Sequence, residues 1–120
     1  MSRDSLLAEA LVCSWLEERG WTILEHNYRT RRSEVDIIAS KEDVLVAVEV
    51  KLATDGSATM ALEKIDPVKQ SRICHGTLHY LSTREFPGEI RFDVAVVRGT
   101  PPDLRVELYL EDAFRPEAPF

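Results

Sequence analysis

The chain is short of the features that mark several large functional classes. No apolar run reaches the length of a membrane span, because Glu49 and Lys51 interrupt the longest one. Ser2-Arg3-Asp4-Ser5 runs straight into an amphipathic pattern, so no signal peptide is expected. The two cysteines, Cys13 and Cys74, lack metal-ligand spacing, so reduced thiols and a cytoplasmic location are the expectation. There is no glycine-rich phosphate loop, no internal repeat and no low-complexity segment. His75 and His79 stand at a spacing that can bind zinc, but a third ligand is missing, and surface histidines are the expectation. Basic residues are also in the minority, 15 against 21 acidic ones, for a net charge of −6. That balance argues against non-specific adhesion to polyanions.

What is present fits one domain spanning residues 1–120, with a core over about 3–110 and an acidic, proline-containing tail over 111–120. A helix capped by Asp4 or Ser5 runs to about Arg19, where Gly20 stops it. Leu7, Leu11 and Trp15 form its apolar row, widened by Cys13 and Leu16. A strand follows from Trp21 to Tyr28. The residues 53–60 read as a turn-forming connector. Asp66-Pro67 starts a second helix, running to about Ser82 with Val68, Ile73, Leu78 and Leu81 on its apolar face. Strands over 89–97 and 105–110 complete an α/β fold, a mixed central sheet with helices on its faces.

The most informative stretch is Ser33 to Leu52. Two apolar, Val- and Ile-rich runs, 35–39 and 44–52, flank the polar segment 40–43 and read as an antiparallel hairpin. Three charges interrupt them: Asp36, Glu49 and Lys51. Buried strands exclude unpaired charge, so these residues need a reason. Glu49 and Lys51 share a face by strand alternation. If Ser40 pairs with Leu45, Asp36 falls opposite Glu49, and two carboxylates and an ammonium converge. Two carboxylates so placed repel unless a cation sits between them, and carboxylate oxygens suit magnesium, which keeps several waters.

Asp36 followed by Glu49-x-Lys51 across a hairpin resembles the active site of the PD-(D/E)XK nuclease superfamily. The ordered set Ala8-Glu9-Ala10, Gly20-Trp21, Asn27-Tyr28-Arg29, Glu34-Val35-Asp36-Ile37-Ile38-Ala39, Val48-Glu49-Val50-Lys51, Lys69 and Arg91-Phe92-Asp93-Val94 is similar to the YraN-like family of small bacterial proteins. In that family Gly usually precedes Glu-Ile-Asp, where this chain has Ser33. The resemblance implies a restriction-endonuclease-like αβββαβ core and magnesium-dependent hydrolysis of phosphodiester bonds in DNA, with manganese as an alternative metal. Asp36, Glu49 and Lys51 would be the catalytic set. Asp36 and Glu49 would hold the metal with Glu9 assisting, and Glu34 would support them from outside. The competing reading is a nuclease fold without catalysis, used to bind nucleic acid or protein.

Beside this site the run Arg29-Thr30-Arg31-Arg32 reads either as a phosphate clamp or as a solvated loop. Lys69, which the resemblance makes functional, shares a helix side with Arg72. Arg29, Arg31, Arg32 and Lys69 are the candidate nucleic-acid contacts. No membrane partner is expected, and the sequence leaves the oligomeric state, a homodimer included, open.

Overall fold

A computed structural model describes residues 2–115. The elements run α1 (Arg3–Glu18), β1 (Thr22–Arg29), β2 (Glu34–Lys41), β3 (Val44–Ala53), α2 (Ala58–Glu63), α3 (Pro67–Leu81), β4 (Glu89–Thr100) and β5 (Asp103–Leu110). The expected αβββαβ order is present, with the short helix α2 added in the stretch expected to be a plain connector. Ser57 caps α2 by accepting the Met60 amide, a role its place in a turn-rich run conceals. Asp66 caps α3 in the same way, accepting the Lys69 amide, with Pro67 at the first helical position.

The five strands lie in chain order, antiparallel except for the parallel pair β3–β4. The parallel step is required because α2 and α3 form the crossover between those two strands. β3 is therefore central and buried on both faces from Leu45 to Glu49. Helix α1 covers one face, where Ala8, Val12 and Leu16 pack on Ile37, Val46, Val48 and Ala95. Helices α2 and α3 cover the other, where Ile65, Ile73 and Tyr80 pack with Ile38, Leu45, Phe92 and Val94.

Both long helices are rotated from the expected orientation. In α1 the buried row is Ala8, Val12 and Leu16, with Glu9 beside it, and Leu7 is exposed. In α3 the buried residues are Ile73, Cys74, Gly76, Thr77 and Tyr80, and the expected core residues Val68 and Leu78 are exposed. The reason in α3 is close approach. A Cβ on Gly76 would lie 2.8 Å from Val35 Cγ2 and 3.2 Å from Ser33 Oγ, so only glycine lets this helix sit so near β2. Ser33 is buried in that contact and hydrogen-bonds to the Thr30 hydroxyl, and its φ is not positive, so serine suits the position.

The far end of the sheet is held by Asp93, which is fully buried. It accepts two hydrogen bonds from Arg91 at 2.9 Å each, one from the Tyr109 hydroxyl and one from the Asp112 amide. Ala113 N donates to the Phe92 carbonyl and Phe114 stacks on Phe92, so the start of the tail docks on the sheet. The rest of the expected tail, residues 116–120, lies outside the described residues.

Candidate active site

The hairpin register carries the site. Ser40 pairs with Leu45, and the ladder continues through Ile38–Ala47 to Ile37–Val48. The turn is tighter than the four-residue loop expected, since Lys41 and Val44 also pair. One step further in the same register, Asp36 comes level with Glu49, and there the β2–β3 ladder stops. β2 stays paired with β1 as far as Glu34, and β3 stays paired with β4 as far as Ala53. The sheet thus forks at Asp36 and Glu49. Asp36 Oδ2 takes over part of the lost ladder by accepting the Val50 amide at 2.8 Å.

A cleft of about 360 Å³ opens at this fork, lined by Glu9, Arg29, Glu34, Asp36, Glu49 and Lys51 among others. Glu49 is buried, and two ammonium groups reach one of its oxygens: Lys69 Nζ at 3.2 Å and Lys51 Nζ at 3.5 Å from Oε2. Its other oxygen, Oε1, is buried without a hydrogen-bond partner. Glu9 enters from α1, itself buried, with Oε1 3.3 Å from His26 Nε2 in an approach that lacks hydrogen-bond geometry. Glu34 stands at the rim, 3.7 Å from the Arg29 guanidinium.

Titration follows from this crowding. Burial, then the Glu49 charge and a hydrogen bond shared with Glu49, push the Asp36 carboxyl up to about 9, against the pull of the Val50 amide. Burial also raises Glu9, with the His26 ring opposing and the charges of Glu34 and Glu49 adding to the rise. For Lys69 burial acts downward, but Glu49, Asp36 and Glu34 outweigh it and hold the ammonium above its ordinary value. Asp36 therefore keeps its proton at neutral pH, a proton that a divalent cation would displace. The two thiols take no part: burial pushes Cys13 and Cys74 up to about 11.

The fork brings together Glu9, Glu34, Asp36, Glu49, Lys51, Arg29 and Lys69. It does not bring Arg31 and Arg32, which line a separate groove with Arg72 and His75 of α3. His26 is the site neighbour that sequence reasoning missed. Strict alternation from Ile23 sets His26 on the opposite face. A bulge between Ile23 and Glu25 inverts the strand, so His26 pairs with Ile37 on the α1 side, under Glu9.

The profile described as "Uncharacterised protein family UPF0102" matches residues 8–97. The chain belongs to this family. A UPF0102 protein of Syntrophus aciditrophicus is 41% identical over 113 residues, covering 93% of this chain and 88% of that protein. One of Anaeromyxobacter dehalogenans is 40% identical over 100 residues, covering 82% and 75%. One of Treponema pallidum is 42% identical over 96 residues, covering 78% and 75%. This is the YraN-like family that the ordered motifs resemble. The UPF0102 match spans every residue of the fork, from Glu9 to Lys69, and ends before β5.

Proposed function

We propose that this UPF0102 protein hydrolyses phosphodiester bonds in DNA with a divalent metal, magnesium or manganese, held at the fork. The observation that carries this reading is the buried Asp36–Glu49 pair, open to a cleft and faced by two ammonium groups. The donor chemistry fits the ion. Glu49 Oε1 is buried with no hydrogen-bond partner among the described residues, and the proton retained by Asp36 marks where positive charge is wanted. Among the described residues no group of three or more His, Cys, Asp or Glu stands ready to hold a metal. Magnesium needs no such cage, since it binds through one or two carboxylates, waters and substrate oxygens.

Asp36 and Glu49 would hold the ion, with Glu9 assisting directly or through water. Once bound, it supplies a Lewis acid for a phosphoryl oxygen and an acidified water. Lys51 has the position to orient the attacking water and to stabilise charge developing on the phosphoryl oxygens. Lys69 and Lys51 both meet Glu49 Oε2, while Oε1 has no hydrogen-bond partner among the described residues and is the donor atom left for an ion. Glu34 holds Arg29 at the rim, where its guanidinium can meet a phosphate.

Cleavage assays with magnesium or manganese on linear duplex, single-stranded, flapped and branched DNA test the reading. Glu49→Gln is expected to abolish cutting. Lys51→Ala is expected to lower turnover by about 10²–10³-fold while changing DNA affinity little, because that lysine acts in the transition state. A wild-type protein that binds metal and DNA yet cuts none of these forms would overturn the catalytic reading. It would favour the second one, a binding module, with which the pairing of both lysines to Glu49 is also consistent.

A further inference from the structure

The groove beside α3 has no role in the chemistry at the fork. It has a volume of about 850 Å³, and its lining includes Arg31 and Arg32 from the β1–β2 turn and Pro67, Val68, Arg72 and His75 from α3. Among the described residues its lining contains no carboxylate. Among the described residues the Arg31, Arg32 and Arg72 guanidinium groups make no ion pair or side-chain hydrogen bond. Of the other arginines, Arg19, Arg29, Arg91, Arg98 and Arg115 each face a carboxylate and Arg84 donates to the Tyr80 carbonyl, while Arg3 and Arg105, on α1 and β5, make no ion pair among the described residues. In a chain of net charge −6, unpaired guanidinium groups gathered on one groove are not an average surface.

Both walls are fixed. Thr30 N donates to the Ser33 carbonyl and Arg32 N to the Thr30 hydroxyl, which closes the turn that carries Arg31 and Arg32. Gly76 seats α3 against Ser33 and Val35, so helix and turn hold a set separation. Both walls also lead back to the fork. Arg29 lines the cleft two residues before Arg31, and Lys69 reaches Glu49 one helical turn before Arg72. From Lys69 through Arg72 to His75 the helix advances about 9 Å. A strand of nucleic acid carries a phosphate about every 3.4 Å along its axis, so roughly two or three would lie over that length.

We infer that the groove formed by Arg31, Arg32, Arg72 and His75 holds the sugar–phosphate backbone of the strand whose scissile bond lies at the fork. This inference rests on the phosphodiester reading of the fork and adds to it the direction in which the substrate leaves. Guanidinium groups lining a groove suit phosphate oxygens, and contacts made to phosphate carry no base-sequence information. Exposed Val68 and Pro67 offer an apolar wall to the sugars.

The test uses the full chain in calcium buffer and fluorescence anisotropy of labelled single strands and duplexes of mixed sequence over a salt series. Arg72→Ala, and Arg31→Ala with Arg32→Ala, are expected to weaken binding about three- to tenfold per lost contact at low salt. Each lost contact should also reduce the log–log salt slope by about 0.7 for single strands or about 0.9 for duplex. Arg72→Lys should recover most of the slope, and Arg115→Ala, whose guanidinium faces Asp112, should leave it unchanged. Hydrolysis of bis(p-nitrophenyl) phosphate, a diester too small to span the groove, by the wild type in magnesium or manganese buffer reads the fork separately. If that diester is hydrolysed but the groove variants keep the wild-type affinity and slope, the groove inference fails and the reading of the fork stands. If the slope falls as expected while neither that diester nor any of the DNA forms above is cut in magnesium or manganese, the groove holds nucleic acid and the hydrolytic reading fails. Binding of polyglutamate in preference to either form of DNA would overturn the groove inference in favour of an acidic protein partner.

Discussion

Asp36 carries an energetic cost that its surroundings only partly offset. Its Oδ2 accepts the Val50 amide, but burial and Glu49 make ionisation unfavourable and lift the carboxyl to about 9. Between the ordinary carboxyl range near pH 4 and about 9, the folded protein therefore holds a proton that the unfolded chain releases. The stability this group contributes is fully present below that range and is lost as pH rises toward about 9. Asp36→Asn imitates the protonated acid, keeps an acceptor for Val50 and offers Glu49 a donor. The variant is expected to stabilise the metal-free protein at pH 8 by about 1–3 kcal/mol, with little effect at pH 4.5. Thermal melts across that interval, with chelator present, check this. A constant difference between the two proteins at all pH values would contradict a raised Asp36 carboxyl. A residue that weakens the fold it belongs to is expected where function, rather than packing, selected it.

At the scale of elements, legibility in the sequence divides by periodicity. The hairpin register could be read because Val and Ile runs of fixed length bracket a short polar turn, and a slip of one residue would exchange core and solvent faces. It therefore placed Asp36 level with Glu49 and left Lys51 beside them. The bulge that turns His26 under Glu9 leaves no mark, because an extra residue in β1 changes the alternation without changing composition. The two helices were misjudged by large apolar residues. Leu7 and Val68 attracted the expected faces, whereas small residues, Ala8 and Gly76, decide which face can approach a sheet. Gly76 makes this testable. Alanine there gains up to about 1 kcal/mol in helix propensity, but its Cβ would meet stiff, buried Val35 at 2.8 Å. Overpacking of about 1–3 kcal/mol should win, so Gly76→Ala is expected to lower stability by about 1–2 kcal/mol. In a Val35→Ala background the same change should cost little or become favourable, a coupling that denaturant titrations of the four proteins measure. Equal effects in both backgrounds would remove this contact as the constraint on α3.

Over the whole molecule the candidate site joins every layer. Glu9 comes from α1, Asp36 from β2, Glu49 and Lys51 from β3, and Lys69 from α3. A ligand gripping the carboxylates of the fork would tie the α1 layer to the central strands, and its binding energy would appear as global stability rather than as local ordering. Mass action sets the size. Magnesium at 100 times its dissociation constant adds about 2.7 kcal/mol, or roughly 10 °C in a domain of this length. Because the cation competes with the proton held by Asp36, the shift should be larger at pH 8.5 than at pH 6. The net charge of −6 supplies a competing explanation, since any divalent ion also relieves general repulsion. The two effects separate in the double variant Asp36→Asn, Glu49→Gln. It lowers the negative charge by at most two and leaves most of the acidic surface in place. General relief would survive in it nearly intact, whereas site binding would vanish. Calorimetric melts of both proteins, with magnesium and with sodium chloride at matched ionic strength, decide the matter. The expected outcome is a pH-dependent rise in melting temperature in the wild type and almost none in the double variant. An equal rise in both, or no rise in the wild type at any magnesium concentration, would leave Asp36 and Glu49 as a structural pair in the sheet, with no metal to bind.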